Sequence, residues 1–391
     1  MDKLMERLEQ SFEEMVTLRR HFHMWPELSH QEQDTPVYIA NYLREIGLEV
    51  RESVGGRGVV ATLHITSQGP TVALRADFDA LAIHELNDVP YKSKVDGVMH
   101  ACGHDGHTAA LLVLAKVLSE QRQHLHTNFV FIFQHAEEVA PGGALAMIED
   151  GCLDGVDVIY GAHLWSPTPL GQICTCPGPI MAAADRFEIV IEGKGGHGAQ
   201  PHEAIDSIVT ASQFVVQLQS IVARAVDPLQ SAVVSIGHME ASNPFNVIAQ
   251  DVSLLGTVRT FNEQIRQMIE QRIEQLLQGV CLASGATYRY RYVRGYPPVV
   301  NDPEQALFIL DVAQQVKETT HSIQTTPMMI GEDFAYYLQH VKGAFFLVGA
   351  MPESGQFYPH HHPRFNFEEK AMLHSAKVML QAALTFDNQI D

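Results

Sequence analysis

The chain has 391 residues, too many for one small core, so two domains are expected, one inserted in the other. Its 26 Lys and Arg stand against 46 Asp and Glu, a net charge of −20 with no basic cluster, which excludes nucleic acid as a natural partner. There is no signal-like segment, no apolar run of about 18 residues, and no disulfide pattern in the scattered Cys102, Cys152, Cys174, Cys176 and Cys281, so a cytoplasmic protein with reduced thiols and no membrane contact is expected.

In chain order, a helix is predicted over Leu4 to Trp25 and another over about Thr35 to Ile46, stopped by Gly47. VVATLHI and TVALRAD then read as strands. MHACGHDGHT, Met99 to Thr108, is a Gly-punctuated loop with one cysteine and three histidines. It leads into HTAALLVLAKVLSEQ, where the spacing of Ala110, Val113, Leu114, Val117 and Leu118 predicts an amphipathic helix. NFVFIFQHAEE is a continuous apolar run closed by two carboxylates, and VDVIYGAHL repeats that form. Such runs alternating with helices indicate a mainly parallel sheet covered on both faces, with sites at the C-terminal ends of its strands. Asp77, Asp79, Glu137, Glu138 and His163 all lie at or just past the ends of such runs.

From Asp185 the period changes. RFEIVIEG alternates in and out, a helix runs from about Ala204 to Ala225, SAVVSIGHM and DVSLLGTVRT are strands, Ile265, Met268, Ile269, Leu276 and Val280 mark a helix, and TYRYRYV is a last strand. This β-α-β-β-α-β order is ferredoxin-like and, at roughly 110 residues, long enough for a domain of its own. GYPPVVND returns the chain to the first domain. The expected fold is therefore α/β: a catalytic domain of residues 1–183 and 297–391, with a mainly parallel mixed sheet flanked by helices, and an inserted domain of residues 184–296.

Cys102 and His104 sit at a Gly-rich turn into a helix, where backbone N–H groups and the helix dipole favour a thiolate, a good metal ligand. Glu137 and Glu138 are adjacent at a strand end, so their side chains diverge: one can bind a metal while the other faces water. Carboxylates at the end of a core strand need cations nearby. With His163 and one histidine of the tract His360, His361, His362, the donors Cys102, His104 and Glu138 suffice for two divalent ions sharing a bridging thiolate. The natural chemistry of such a set is hydrolysis, with Glu137 as the base. No G-x-S-x-G elbow, no strand-borne G-x-G-x-x-G and no Walker loop competes, and a Cys102 nucleophile with His104 as its base would be cramped.

The segments LRRHFHMWPELSHQEQDT, RADFDAL, HACGHDGHTAALL, FQHAEE, GAHLW, GKGGHGAQPH, NVI, GTVR, GEDFAYY and HHHPRFNF carry a likeness over essentially the whole chain. The sequence resembles the aminoacylase and carboxypeptidase family of dinuclear metallohydrolases, and most closely the amidohydrolase branch of hippurate hydrolases, N-acyl-L-amino acid amidohydrolases and plant auxin-conjugate hydrolases. The resemblance implies a phosphorylase/hydrolase-like fold of the zinc exopeptidase type. It implies two divalent ions per subunit (Zn, Mn, Co or Ni) on Cys102 as the bridge, His104, Glu138, His163 and, by the His-x-Pro pattern, His361 rather than His362. Glu137 would be the base, and Asp79 would steady a metal-binding residue, with Asp77 beside it not a ligand. His197 of the inserted domain would polarise the scissile carbonyl, often from the partner subunit, while Asn246, Arg259 and Glu332 would contact substrate.

The implied reaction is hydrolysis of an N-acyl-L-amino acid to a carboxylic acid and a free amino acid, by a homodimer or homotetramer joined through the inserted domain. A dipeptidase or aminopeptidase of the same family is the alternative within the enzyme class, and a catalytically silent metal-binding scaffold the alternative outside it. DFDALAI, NVIA and GEDF depart from the branch's usual Met and Pro, Asn-Val-Ile-Pro and Ser-Glu-Asp-Phe, which bears on substrate preference more than on catalysis.

Overall fold

A computed structural model describes residues 1–386. They divide into two compact units: Met1–Ile180, Val300–Thr326 and the chain from Asp333 onward form the first, and Met181–Val299 with Pro327–Glu332 the second.

The first unit is built on an eight-stranded sheet in the order Glu49–Val54, Gly58–Leu63, Asn128–Gln134, Thr71–Asp77, Val158–Trp165, Gly343–Gly349, Gln172–Thr175, His321–Gln324. The four central strands run parallel, their outer neighbours Gly58–Leu63 and Gln172–Thr175 pair antiparallel with them, and the edge strands Glu49–Val54 and His321–Gln324 pair antiparallel and parallel, respectively, with those neighbours. Every residue of Asn128–Gln134 and of Gly343–Gly349 is buried, as expected of a sheet covered on both faces. The fold is thus the mixed α/β arrangement expected, with a mostly parallel sheet flanked by helices.

Two helices differ from expectation. His104–Glu120 is buried all round, with only Lys116 and Glu120 reaching the surface, rather than amphipathic. The sheet lies against one side of it, and Phe12–Met24 and Lys370–Thr385 cover the other. The single N-terminal helix is two, Asp2–Gln10 and Phe12–Met24. Between them the Ser11 hydroxyl donates to the Arg7 carbonyl at 3.0 Å, a bond that bends a helix.

In the second unit Ala183–Glu192, Ser207–Ser220, Ala232–Glu240, Asp251–Thr260, Glu263–Ser284 and Thr287–Val293 follow one another as β-α-β-β-α-β. Their antiparallel sheet has the order Ala232–Glu240, Asp251–Thr260, Ala183–Glu192, Thr287–Val293, which is ferredoxin-like. The first of its helices starts at Ser207, not near Ala204, because Asp206 caps the Ile208 and Val209 N–H groups. Phe187, Ile189, Phe214, Ile269 and Leu277 form the core of this unit. A buried ion pair anchors it: Arg266 Nε and Nη2 donate to the Asp185 carboxylate at 2.8 and 2.6 Å. Pro327–Glu332 joins this unit through a bridge between Met181 and Met328, so Glu332 stands here.

Candidate metal centre

The centre lies at the C-terminal ends of the parallel strands of the first unit. Thr71–Asp77 ends in Asp77, with Asp79 just beyond; Asn128–Gln134 leads into Glu137 and Glu138; Val158–Trp165 carries His163 near its end. The helix His104–Glu120 begins at the same edge after Gly103, whose φ of +99° suits only glycine well and turns the chain from Cys102 into the helix.

Donor atoms meet there in overlapping groups, each within 4.8 Å: Cys102 with His163 and His360, Cys102 with Glu138 and His361, and His104 with Glu137 and Glu138. Cys102 belongs to two of them, so its sulfur stands between the two sides. His163 Nε2 is 3.4 Å and His360 Nδ1 3.7 Å from Cys102 Sγ, while His361 Nε2 is 3.3 Å from Glu138 Oε2. His361 is held by its own backbone N–H, which donates to the Ala101 carbonyl at 2.8 Å, and has a left-handed φ of +66°.

Surrounding groups fix which ring nitrogen faces the centre. His104 Nδ1 donates to the Asp79 carbonyl and to Asp79 Oδ1 at 3.0 and 3.2 Å, leaving Nε2 pointing at Glu138, Asp77 and Glu137, 3.8, 3.9 and 4.0 Å away. His163 Nδ1 donates to the Leu164 carbonyl at 2.8 Å, which turns its Nε2 toward the sulfur. Asp79 Oδ2 accepts from the Ser29 hydroxyl at 2.6 Å and from the Glu138 N–H at 2.9 Å. Glu32 Oε1 accepts the Ala136 N–H at 2.9 Å and so restrains a residue with φ +53°, immediately before Glu137.

The electrostatics are those of a site short of positive charge. The Cys102 thiol is pushed well above its ordinary range by burial first and then by Glu138, Glu137 and Asp77. Desolvation and three carboxylates thus oppose the helix-terminus effect on the thiol, and a cation against the sulfur would act the other way. Burial works against charging His104, yet Asp77, Asp79 and Glu138 raise it to about 10. Burial and the neighbouring imidazoles of His107 and His360 hold His163 well below its usual range, so its lone pair is free to bind.

Two buried atoms here, His104 Nε2 and Glu138 Oε1, have no hydrogen-bond partner. Uncompensated buried polar atoms are costly, and a divalent cation held by these residues would satisfy both. The donor set of thiol, imidazole and carboxylate fits transition-metal chemistry, so the residues present fit a metal pair.

His360, named only as part of the tract, lies nearer the sulfur than expected, its ring stacked on Trp165 at 4.4 Å. Ser29, Glu32 and His107 also support the centre; the first two stand in PELSHQEQDT and the third in HACGHDGHT, where several polar residues compete and nothing in their spacing ranks them. Asp77 is engaged by Arg75 and His107 at 2.6 Å each.

The remaining candidates stand on the second unit. His197 is exposed in a two-residue strand paired with Val247–Ile248, and its Nδ1 accepts the Ala199 N–H at 3.0 Å. Asn246, also exposed, is adjacent: its carbonyl accepts the Gly198 N–H at 2.8 Å. Arg259 lies near the end of Asp251–Thr260, donating to Thr257 Oγ1 and the Val258 carbonyl. Glu332 is buried.

Residues 73–385 match the family described as Peptidase family M20/M25/M40. Over 382 residues the chain is 55% identical to YhaA of Bacillus subtilis (strain 168), covering 97% of this chain and 96% of that protein. It is 47% identical over 291 residues to an N-acyl-L-amino acid amidohydrolase of Geobacillus stearothermophilus, covering 74% of this chain and 79% of the relative. Its fold superposes with a TM-score of 0.84 on the crystal structure of the Bacillus subtilis YXEP protein, a dinuclear metal binding peptidase from the M20 family, at 34% identity and over 97% and 99% of the two chains. The chain belongs to peptidase family M20/M25/M40, among its amidohydrolases.

Proposed function

We propose that this amidohydrolase cleaves the amide bond of N-acyl-L-amino acids, releasing a carboxylic acid and the free amino acid. The observation that carries the reading is a chain of overlapping donor groups, in which Cys102 meets His163, Cys102 meets Glu138 and His361, and Glu138 meets His104, with the Glu137 carboxylate 4.0 Å from His104 Nε2. Those five residues would hold two divalent ions, of Zn, Mn, Co or Ni. Bound there, the cations supply Lewis acidity, polarising a carbonyl and lowering the pKa of water toward about 7.

The chain's own residues do the rest. Glu137 accepts a proton from the attacking water and delivers it to the leaving nitrogen. Asp79 keeps His104 in one tautomer and one orientation through the bonds at its Nδ1. His197 donates to the developing oxyanion, while Arg259, Asn246 and Glu332 hold the amino-acid portion, Arg259 offering a planar fork to its carboxylate. The name of the Geobacillus stearothermophilus relative supports the substrate class. Assembly as a homodimer or homotetramer through the second unit and a cytoplasmic location belong to the same reading. No helix among the described residues is long and apolar enough to cross a membrane.

Metal-reconstituted protein assayed on N-acetyl-methionine and on Ala-Ala tests the proposal. Turnover of the first and not the second is expected. The reverse would make the chain a dipeptidase, and no turnover on a broad acyl-amino-acid panel would make it a silent metal-binding scaffold.

A further inference from the structure

At the carboxyl end of the large sheet, Thr71–Asp77 keeps its pairing with Asn128–Gln134 as far as Asp77 and Gln134. Its pairing with Val158–Trp165 stops earlier, at Arg75 and Gly161. The sheet therefore splits at this end, with Asp77 on one bank and His163 and Leu164 on the other.

His107, in the first turn of His104–Glu120, fills the split. Its Nδ1 donates to Asp77 Oδ1 at 2.6 Å, and its Nε2 accepts the Leu164 N–H at 2.9 Å. Asp77, ion-paired to Arg75 at 2.6 Å, can only accept, so the proton sits on Nδ1 and the Nε2 lone pair is left for Leu164. His107 lies within 4.8 Å of His104 and Asp77, as a ligand would, yet both its nitrogens are already engaged. Its ring meets that of His163 edge-on, with centroids 4.6 Å apart and planes at 73°.

We propose that His107 is the positioning residue for the Cys102–His163 side of the centre. It is a hydrogen-bonded strut across the open sheet end that sets where His163 Nε2 stands relative to Cys102 Sγ, without itself touching a cation or substrate. The inference rests on the reading of Cys102 and His163 as metal ligands, and it makes the two ions unequal in their dependence on one side chain. Loss of a partner that orients a metal-binding histidine typically costs about 10- to 100-fold in metal affinity.

The test is titration of the apo full-length chain with Co(II), followed by calorimetry and by the visible d–d and thiolate-to-cobalt bands. The unaltered chain is expected to take up two equivalents. His107→Phe, which keeps a ring and loses both nitrogens, is expected to weaken one equivalent about 10- to 100-fold, alter the thiolate band, and leave the other equivalent in place. His107→Gln, with a donor and an acceptor on one planar group, is expected to recover part of the loss. Should His107→Phe unfold, His107→Asn, which keeps the donor toward Asp77 and loses the reach to Leu164, decides on the same two readouts. Wild-type affinities for both equivalents in the variant overturn the inference, and so does equal weakening of both at an unchanged melting temperature. An unaltered chain that takes up no Co(II) overturns the metal reading and this inference with it, whereas two equivalents of wild-type affinity in both proteins overturn this inference alone.

Discussion

Asp79 and Glu138 are tied by a 2.9 Å hydrogen bond from the Glu138 N–H to Asp79 Oδ2, while the other Asp79 oxygen lies 3.2 Å from His104 Nδ1. One buried carboxylate thus sets the positions of two proposed ligands that are far apart in sequence. Asp79→Ala is expected to weaken metal binding by about 10- to 100-fold, read by calorimetric titration of the apo protein. An unchanged affinity would assign Asp79 to turn structure alone.

Glu137 and Cys102 separate catalysis from metal retention. Glu137→Gln is expected to keep its metal content by elemental analysis while turnover falls by about 10²- to 10⁴-fold. Cys102→Ala is expected to lose metal as well, because the sulfur belongs both to the donor group with His163 and to the one with Glu138 and His361. Normal rates in Glu137→Gln would remove that residue from the mechanism, and one ion per wild-type chain at saturation would contradict the dinuclear proposal.

Glu32 gives a pH signature. Burial first, and the Asp79 charge after it, push its carboxyl up to about 7 in spite of the backbone N–H groups that favour ionisation. The folded chain therefore binds a proton there that the unfolded chain releases near an ordinary 4.5. The stability linked to this group is full below about pH 4.5 and is lost as pH rises through about 7. Glu32→Gln still offers an oxygen to the Ala136 N–H and cannot ionise. In urea denaturation between about pH 5 and about pH 8, wild type should lose stability relative to Glu32→Gln as pH rises. Parallel curves for the two proteins would show that Glu32 does not titrate in this window.

The Asp185–Arg266 pair should behave as a buried charge pair. Arg266→Ala leaves Asp185 unpaired and is expected to cost about 3 to 5 kcal/mol in urea denaturation. Arg266→Met combined with Asp185→Ala leaves no uncompensated charge and should cost less than the single change. Simple additivity of the two substitutions would show the pair to be uncoupled.

The fold class was legible because the strands announce themselves: FVFIFQ and GAFFLVG are apolar at every or nearly every position, as strands buried on both faces must be. The neighbourhood of the site was legible for a related reason, since Cys102, His104, Glu137, Glu138 and His163 stand where strands and helices end. What could not be read depended on contacts between distant segments. The burial of His104–Glu120 on its outer side comes from Phe12–Met24, some eighty residues earlier, and from Lys370–Thr385, more than two hundred residues later. The rise of the Cys102 thiol comes from burial first and then from carboxylates on two other strand ends. His107 and His104 share one motif, and only the place where two strands part company distinguishes a strut from a ligand. His360 and His361 are neighbours in sequence, and the left-handed turn at His361 aims them at different members of the cluster.

The helix His104–Glu120 also has a mechanical meaning. Because all of it but Lys116 and Glu120 is buried, its amide hydrogens are expected to exchange with deuterium among the slowest of the first unit. The backbone bearing His104 and His107 is thus expected to be a rigid floor beneath the donor atoms, checked by slow exchange of its amide hydrogens.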